Sequence, residues 1–524
     1  MKTTGILCAL LSLCLLTASG QTPSAVGGTW YGSVNPPGTR SDIAVSLRNI
    51  GGWTGSLLME NGTSLPLRDI SIDGNTISFS IDLRGQRGEK ARFKGTIKDD
   101  EITGDFTQDN STVPFQLSRK PTAALVGAAM GIDPKEMIEA ITEFKGSLSD
   151  RPFVPPVTYP AISYGVKPSH DPVANLLADI ESGKTKLKFE GQDGYLHSLL
   201  DALHVPVESQ MAVFSKNSLQ SPIIEPDNPR LLYFNDTVSI GIVHGGFIEI
   251  AAQDPAQGAH FYMMLQQPGD KPFIVGRDTQ CLSCHLSRNS LDVPGMLLRS
   301  VYPSASGEPL NPLGSYLMDH RTKFEERWGG WYVTGDSGGM NHLGNEVVTD
   351  AEKRSMKGLL QDKFSSDIVA LMTFEHQMHM TNLITRVGWE YRIAESLDAA
   401  TGKRNETIAQ QLKDGTKELV DYLLFVDETP LAGRKVGGGS AFAEKFAAMG
   451  PADSKGRSLR QFDLEHRLMK YPCSYMIYSP SFDALPEEAK KDIYARMHEV
   501  MASKFSAADR AAVTEILHDT KKDF

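Results

Sequence analysis

Between residues 28 and 118 apolar side chains fall on alternate positions: Ile43, Val45 and Leu47, then Ile70 and Ile72, then Ile77, Phe79 and Ile81. A period of two marks half-buried β-strands. Asp73-Gly74-Asn75 separates two of these runs and predicts a hairpin turn. A short unit recurs as Trp30-Tyr31-Gly32, Trp53-Thr54-Gly55, Phe93-Lys94-Gly95 and Ile102-Thr103-Gly104. Glycine inside a strand marks a bulge or tight bend. The stretch predicts a small antiparallel barrel or sandwich with its aromatic residues in the core.

Beyond it the pattern changes. Residues 121–147 carry Ala-rich periodic stretches interrupted at Gly131 to Pro134, which predict a helical connector. Arg151-Pro152-Phe153-Val154-Pro155-Pro156 then reads as a stiff entry into a larger domain. Residues 150–345 are mixed and loop-rich, with a few strands predicted at Ser239–Val243 and Phe247–Ile250. From about 350 the spacing turns helical, with one long pattern from Val369 to Arg392. The last helix is predicted to start at Ser506, with Asp509 three residues on as an approximate capping box.

Composition narrows the class. Of 524 residues 40% are hydrophobic and 22% charged, which excludes a mostly disordered chain, a collagen and a polytopic membrane protein. A net charge of -11 argues against general nucleic-acid binding, which needs a basic face. Lys2, the apolar run Ile6 to Leu16 and the small residues Ala18-Ser19-Gly20 form a secretory signal. The run is shorter than the roughly 20 residues a bilayer span needs. We therefore expect a periplasmic or secreted protein with no membrane span in the mature chain. Cys8 and Cys14 leave with the signal, so Cys281, Cys284 and Cys473 remain.

Cys281-Leu282-Ser283-Cys284-His285 has the spacing of c-type haem attachment. Two thiols two residues apart reach the two vinyl groups of the macrocycle, and the adjacent His285 ligates iron from the proximal side. One heme c is the expected cofactor. Two rivals use the same cysteines. A thiol–disulfide pair wants a βαβ setting, and a zinc site wants a second Cys or His pair. Lys271-Pro272-Phe273 and Val293-Pro294-Gly295 around the motif suit the first poorly, and Cys473 alone does not complete the second. Cys473, in an aromatic stretch, is expected to be a buried inert thiol.

A sixth iron position can hold Met or His, or stay open. Met296, Met318 and Met340 are Met candidates. The ranked distal candidates are His376, His342 and His320. His376 lies in the helical run Phe374 to Met380, where Glu375 and His379 share a neighbouring face. His342 lies in a glycine-rich loop. Arg327-Trp328-Gly329-Gly330-Trp331-Tyr332 suggests an aromatic pocket wall. Arg327, Arg288 and Arg299 are candidate partners for a haem propionate.

The β-rich stretch resembles the N-terminal domain found ahead of many secreted bacterial hydrolases. The run from Cys281 to Pro303 (CLSCHLSRNSLDVPGMLLRSVYP), with Asp319-His320-Arg321 and RWGGWYVTG at 327–335, resembles exported bacterial monohaem proteins described as uncharacterised cytochrome c domain-containing proteins. That likeness spans most of residues 155–505. It implies haem at Cys281, Cys284 and His285 and brings no catalytic residue. The expected organisation is multidomain: a signal peptide at 1–20, a small all-β barrel or sandwich at 21–120, a connector at 121–150 and a large mixed, mainly helical and loop-rich haem c domain at 151–524. The expected function is an exported redox protein, either electron-transferring or a peroxidase-like or oxygenase-like oxidoreductase. It would meet a redox partner protein or a small-molecule substrate. A haem-based small-ligand sensor and a non-haem thiol–disulfide protein are the alternatives.

Overall fold

The computed structural model describes residues 26–34, 41–49, 52–59, 64–82, 90–108, 111–119, 134–269, 271–276, 278–349, 352–355 and 365–524. The expected signal peptide and the first part of the expected connector lie outside these. The chain divides into two compact units, Met1–Asn49 with Trp53–Thr122, and Ile50–Gly52 with Ala123–Phe524.

The first unit is a closed barrel. Its strands are β1 (Gly28–Val34), β2 (Ser41–Asn49), β3 (Trp53–Met59), β4 (Ser64–Asp73), β5 (Thr76–Asp82), β6 (Lys90–Lys98), β7 (Glu101–Gln108) and β8 (Ser111–Ser118). Each pairs antiparallel with the next, and β1 pairs with β8. The alternating residues point inward: Val45, Leu47, Ile77 and Phe79 are at most 1% exposed. Phe93 stacks on Phe79 at 4.7 Å and meets Phe115 edge-on at 5.2 Å. The Gly74-Asn75 turn joins β4 to β5, with Gly74 at φ 57°. The repeated strand glycines mark close approach, whereas the irregular register lies between Arg68 and Ser71. Gly95 faces Gly104 across β6 and β7. A Cβ on Gly104 would stand 2.1 Å from the Lys94 carbonyl oxygen.

The second unit corrects the expectation of a mainly helical haem c domain. It contains a six-stranded antiparallel sheet in the order β14-β13-β12-β11-β10-β9. The strands are β9 (Met211–Val213), β10 (Arg230–Phe234), β11 (Val238–Ile242), β12 (Ile248–Asp254), β13 (Gly258–Met264) and β14 (Ile274–Gly276). Both faces are largely covered, so β12 and β13 are buried almost throughout and show little alternation. A strand buried on both faces reads as a continuous apolar run, which periodicity does not separate from a buried helix.

Ten α-helices are found among the described residues of this unit. They are α1 (Pro134–Thr142), α2 (Pro172–Glu181), α3 (Leu196–Ala202), α4 (Asp278–His285), α5 (Ile368–Thr401), α6 (Glu406–Leu423), α7 (Phe442–Ala448), α8 (Pro480–Asp483), α9 (Glu487–Lys504) and α10 (Ala507–Thr520). One sheet face, through Ile240, Ile250 and Tyr262, packs on α2 and α3. The main core surrounds α5, which is buried on all sides over its first five turns. Asp367 caps α5, its side chain accepting from the amides of Val369 at 2.8 Å and Ala370 at 3.2 Å. Ser506 caps α10 through the Asp509 amide. No helix among the described residues is long and apolar enough to cross a membrane.

Candidate functional site

Helix α4 carries the CxxCH motif. Residues three and four apart share a helix face, so Cys281 lies beside both Cys284 and His285. Cys284 is exposed and Cys281 partly so. Cys281, Leu282 and Met296 pack against Ala251, Ala259 and Phe261 of the sheet.

The chain turns sharply after His285. Ser287 and Ser290 cap each other's backbone amides, and Leu291 and Asp292 take left-handed φ angles of 60° and 55°. This reversal returns Val293-Pro294-Gly295-Met296 to the motif. The Gly295 amide donates to the His285 carbonyl at 3.0 Å. In return His285 Nδ1 lies 2.9 Å from the Gly295 carbonyl oxygen. A carbonyl only accepts, so Nδ1 carries the proton and Nε2 keeps its lone pair. Burial lowers the pKa of the ring, partly opposed by the Gly295 contact. The imidazole is therefore neutral at neutral pH, the state an iron ligand needs. Phe261 flanks it at 4.8 Å.

Asn382 of α5 fixes that returning segment. Its amide donates to the Met296 carbonyl at 2.7 Å and accepts from the Met296 amide at 3.3 Å. Gly295 has no room for a side chain, since a Cβ would stand 2.1 Å from Asn382 Oδ1.

The ranked distal candidates sit elsewhere. His320 and His376 meet through their Nδ1 atoms at 2.7 Å. His376 Nε2 is 2.7 Å from Ser474 Oγ. Tyr422 stacks on His320 at 3.9 Å, and both histidines are at most 2% exposed. Burial drives His320 well below its ordinary pKa and takes His376 down to about 3. Both nitrogens of His376 are thus engaged, while His320 Nε2 is buried with no hydrogen-bond partner. His376 lies six residues from Asn382, about 9 Å along the helix axis. His342 lies beside Trp328 at 5.3 Å, its Nδ1 accepting from the Gly344 amide at 3.1 Å. The sequence ranks these three together, and the fold brings together two of them, in the main core.

The remaining candidates are tied into the structure. Arg327 pairs with Glu375 and also donates to the His320 carbonyl at 3.0 Å. Burial raises the Glu375 pKa to about 8, against the pull of Arg327. His379 meets Arg321 at 3.1 Å, and burial lowers its pKa to about 4. Arg288 donates to the Asp150 carbonyl at 2.9 Å, and Arg299 to Ser315 at 3.3 Å. Met318 accepts from the Trp328 amide through sulfur at 3.0 Å. Met340 packs partly buried against the main core. Cys473 is fully buried, which raises its thiol pKa far above the ordinary range.

Among the described residues no group of three or more His, Cys, Asp or Glu side chains is gathered to hold a metal ion. Sequence reasoning missed Phe261, Asn382 and the Gly295 carbonyl, because strand register and a contact across 86 residues leave no local signal. No protein family, curated protein or solved structure matches this chain.

Proposed function

We propose that the chain is an exported redox protein carrying one covalently attached haem, with Cys281 and Cys284 as thioether anchors and His285 as proximal iron ligand. The observation that carries this is the His285–Gly295 hydrogen bond at 2.9 Å. It sets the tautomer that leaves Nε2 unprotonated, beside two accessible thiols on the same helical turn. A ligating histidine that donates its other N–H to a backbone carbonyl is oriented and made more basic. Cys281 and Cys284 would each hold the group as a thioether, the sulfur adding to one vinyl carbon and its hydrogen to the other.

When bound, the haem supplies an iron centre that exchanges one electron. The chain holds it against loss, aims the imidazole and keeps that ring neutral. Thiol–disulfide chemistry is less well served. A thiolate is favoured at a helix N-terminus, whereas Cys281 and Cys284 sit in the middle and last turn of α4. The buried His320–His376 pair supplies no sixth ligand without opening the core. An open or weakly held sixth position suits an oxidoreductase; a firmly held one suits electron transfer to a partner protein.

Expression with a c-type maturation system tests the reading. The expected product keeps its haem spectrum after denaturation and gel separation, and Cys281→Ala with Cys284→Ala abolishes it. His376→Ala is expected to leave the spectrum unchanged. A purified protein whose denatured chain titrates three thiols and carries no haem mass overturns the proposal.

A further inference from the structure

The sheet beneath α4 offers more than support. Direct cross-strand partners share a face, so Gly241, Glu249 and Met263 stand in one row on β11, β12 and β13. The next row on that face holds Ser239, Ala251 and Phe261, and Phe261 is the residue against His285. The row of Gly241 is therefore one step along the sheet from the proximal histidine. It is also less covered, because Met263 and Glu249 remain partly exposed.

Arg230 on β10 reaches over this row. A Cβ on Gly241 would stand 2.7 Å from Arg230 Nη2 and 2.8 Å from its Nε, so the guanidinium occupies the space a side chain would fill. Arg230 Nη2 pairs with Glu249 at 2.6 Å, and the two side chains are 19% and 18% exposed. Arg230 Nε is buried with no hydrogen-bond partner. At the far side of the row Val275 pairs with Met263, and nearby Phe273 is 40% exposed. The result is a face on which the Arg230 guanidinium fills the space over Gly241 at one side, with apolar side chains at the other. A planar macrocycle with two acidic arms has that polarity. β10 and β13 are three strand spacings apart, about 14 Å.

We propose that the haem anchored at Cys281, Cys284 and His285 lies on this face of the sheet, and that Arg230, for whose guanidinium Gly241 leaves room, receives one of its carboxylates. The proposal rests on the haem reading above. Arg230 is a positioning residue, and the Glu249 carboxylate holds its guanidinium over Gly241. A charge-assisted fork of this kind is planar and directional, which a lysine does not reproduce.

The test uses the full holoprotein. Arg230→Gln removes a positive charge near the iron and leaves Glu249 uncompensated, both of which favour the oxidised state. The expected outcome is a lower reduction potential, by a tenfold shift in the one-electron equilibrium or about 59 mV. Gly241→Leu is expected to change the Soret circular dichroism while far-UV dichroism stays the same. If Arg230→Gln does not fold, Arg230→Lys keeps the charge and Arg230→Gln with Glu249→Gln removes both charges. Each is expected to alter the Soret dichroism. Wild-type protein that carries covalent haem, with potential and dichroism unmoved in these variants, overturns this seat and leaves the haem reading standing. Wild-type protein without covalent haem overturns both.

Discussion

His376 shows at single-residue scale why a histidine near a Met and a Glu is not automatically a ligand. Its two nitrogens are committed to His320 and Ser474 at 2.7 Å each, in a site that is fully buried. The consequence is a pH dependence of stability. Free imidazoles titrate near 6.5, but in the fold His376 and His379 titrate at about 3 and about 4. Their stabilising share is complete above pH 6.5 and is lost as the pH falls towards 4. Glu375 works in the opposite sense. Its folded pKa of about 8 lies above the ordinary 4.5, so its share is complete in acid and is lost as the pH climbs through 8. Between 4.5 and 6.5 the lowered histidines His320, His376, His379 and His285 outweigh the raised glutamates Glu375, Glu428 and Glu418; above 6.5 the glutamates act without them, Glu428 to about 7 and Glu375 to about 8. Stability is therefore expected to peak near pH 6.5 and fall on either side by about 1.4 kcal/mol per pH unit for each net proton. Denaturant midpoints at pH 5, 6.5 and 8 check this, and a midpoint still rising at pH 8 contradicts it.

Elements determine how the motif is presented. Helix α4 is short and its residues are mixed in polarity, so its orientation comes from the loop behind it and from α5. Asn382 joins α5 to that loop through both ends of its amide. Asn382→Ala leaves two backbone groups of Met296 without partners, at a cost of about 1–3 kcal/mol. It also loosens the Gly295 carbonyl that orients His285. The expected outcome is faster hydrogen exchange at the Gly295 amide and, on the proposed haem reading, a shifted reduction potential. Unchanged exchange would place the rigidity of the loop in Ser287, Ser290 and the left-handed residues instead. The helical spacing from Val369 to Arg392 and the Ser506 cap were readable because each is decided within a few residues. The sheet was not. Its central strands are covered on both faces by α2, α3 and the α5 core, so alternation vanished from the sequence while the strands formed.

At the scale of the molecule, each unit has its own hydrophobic core. The barrel core consists of residues from Val26 to Leu117, and its hydrogen-bonded ring closes on itself. A closed ring has no exposed edge needing a partner. A fragment of residues 21–122 is therefore expected to unfold cooperatively on its own, and residues 123–524, on the proposed haem reading, to carry covalent haem without it. Far-UV dichroism of the first and the spectrum of the second measure this. A first fragment without β signal would show that the barrel depends on the rest of the chain.

What the sequence determined by itself is local. Alternation at 43–47 and 77–81 dictates strands because neighbouring side chains point to opposite faces. The CxxCH spacing puts two thiols and an imidazole on one turn of helix because residues three and four apart share a face. What the tertiary structure decided are the encounters between distant residues. It placed His320 against His376 and put a returning loop under His285. It also set Arg230 over Gly241, in a sheet whose register is fixed by contacts that strands make with one another. Such contacts join positions 10 to 56 residues apart, and the physical reason they form is burial of whole faces, which no short window of sequence contains.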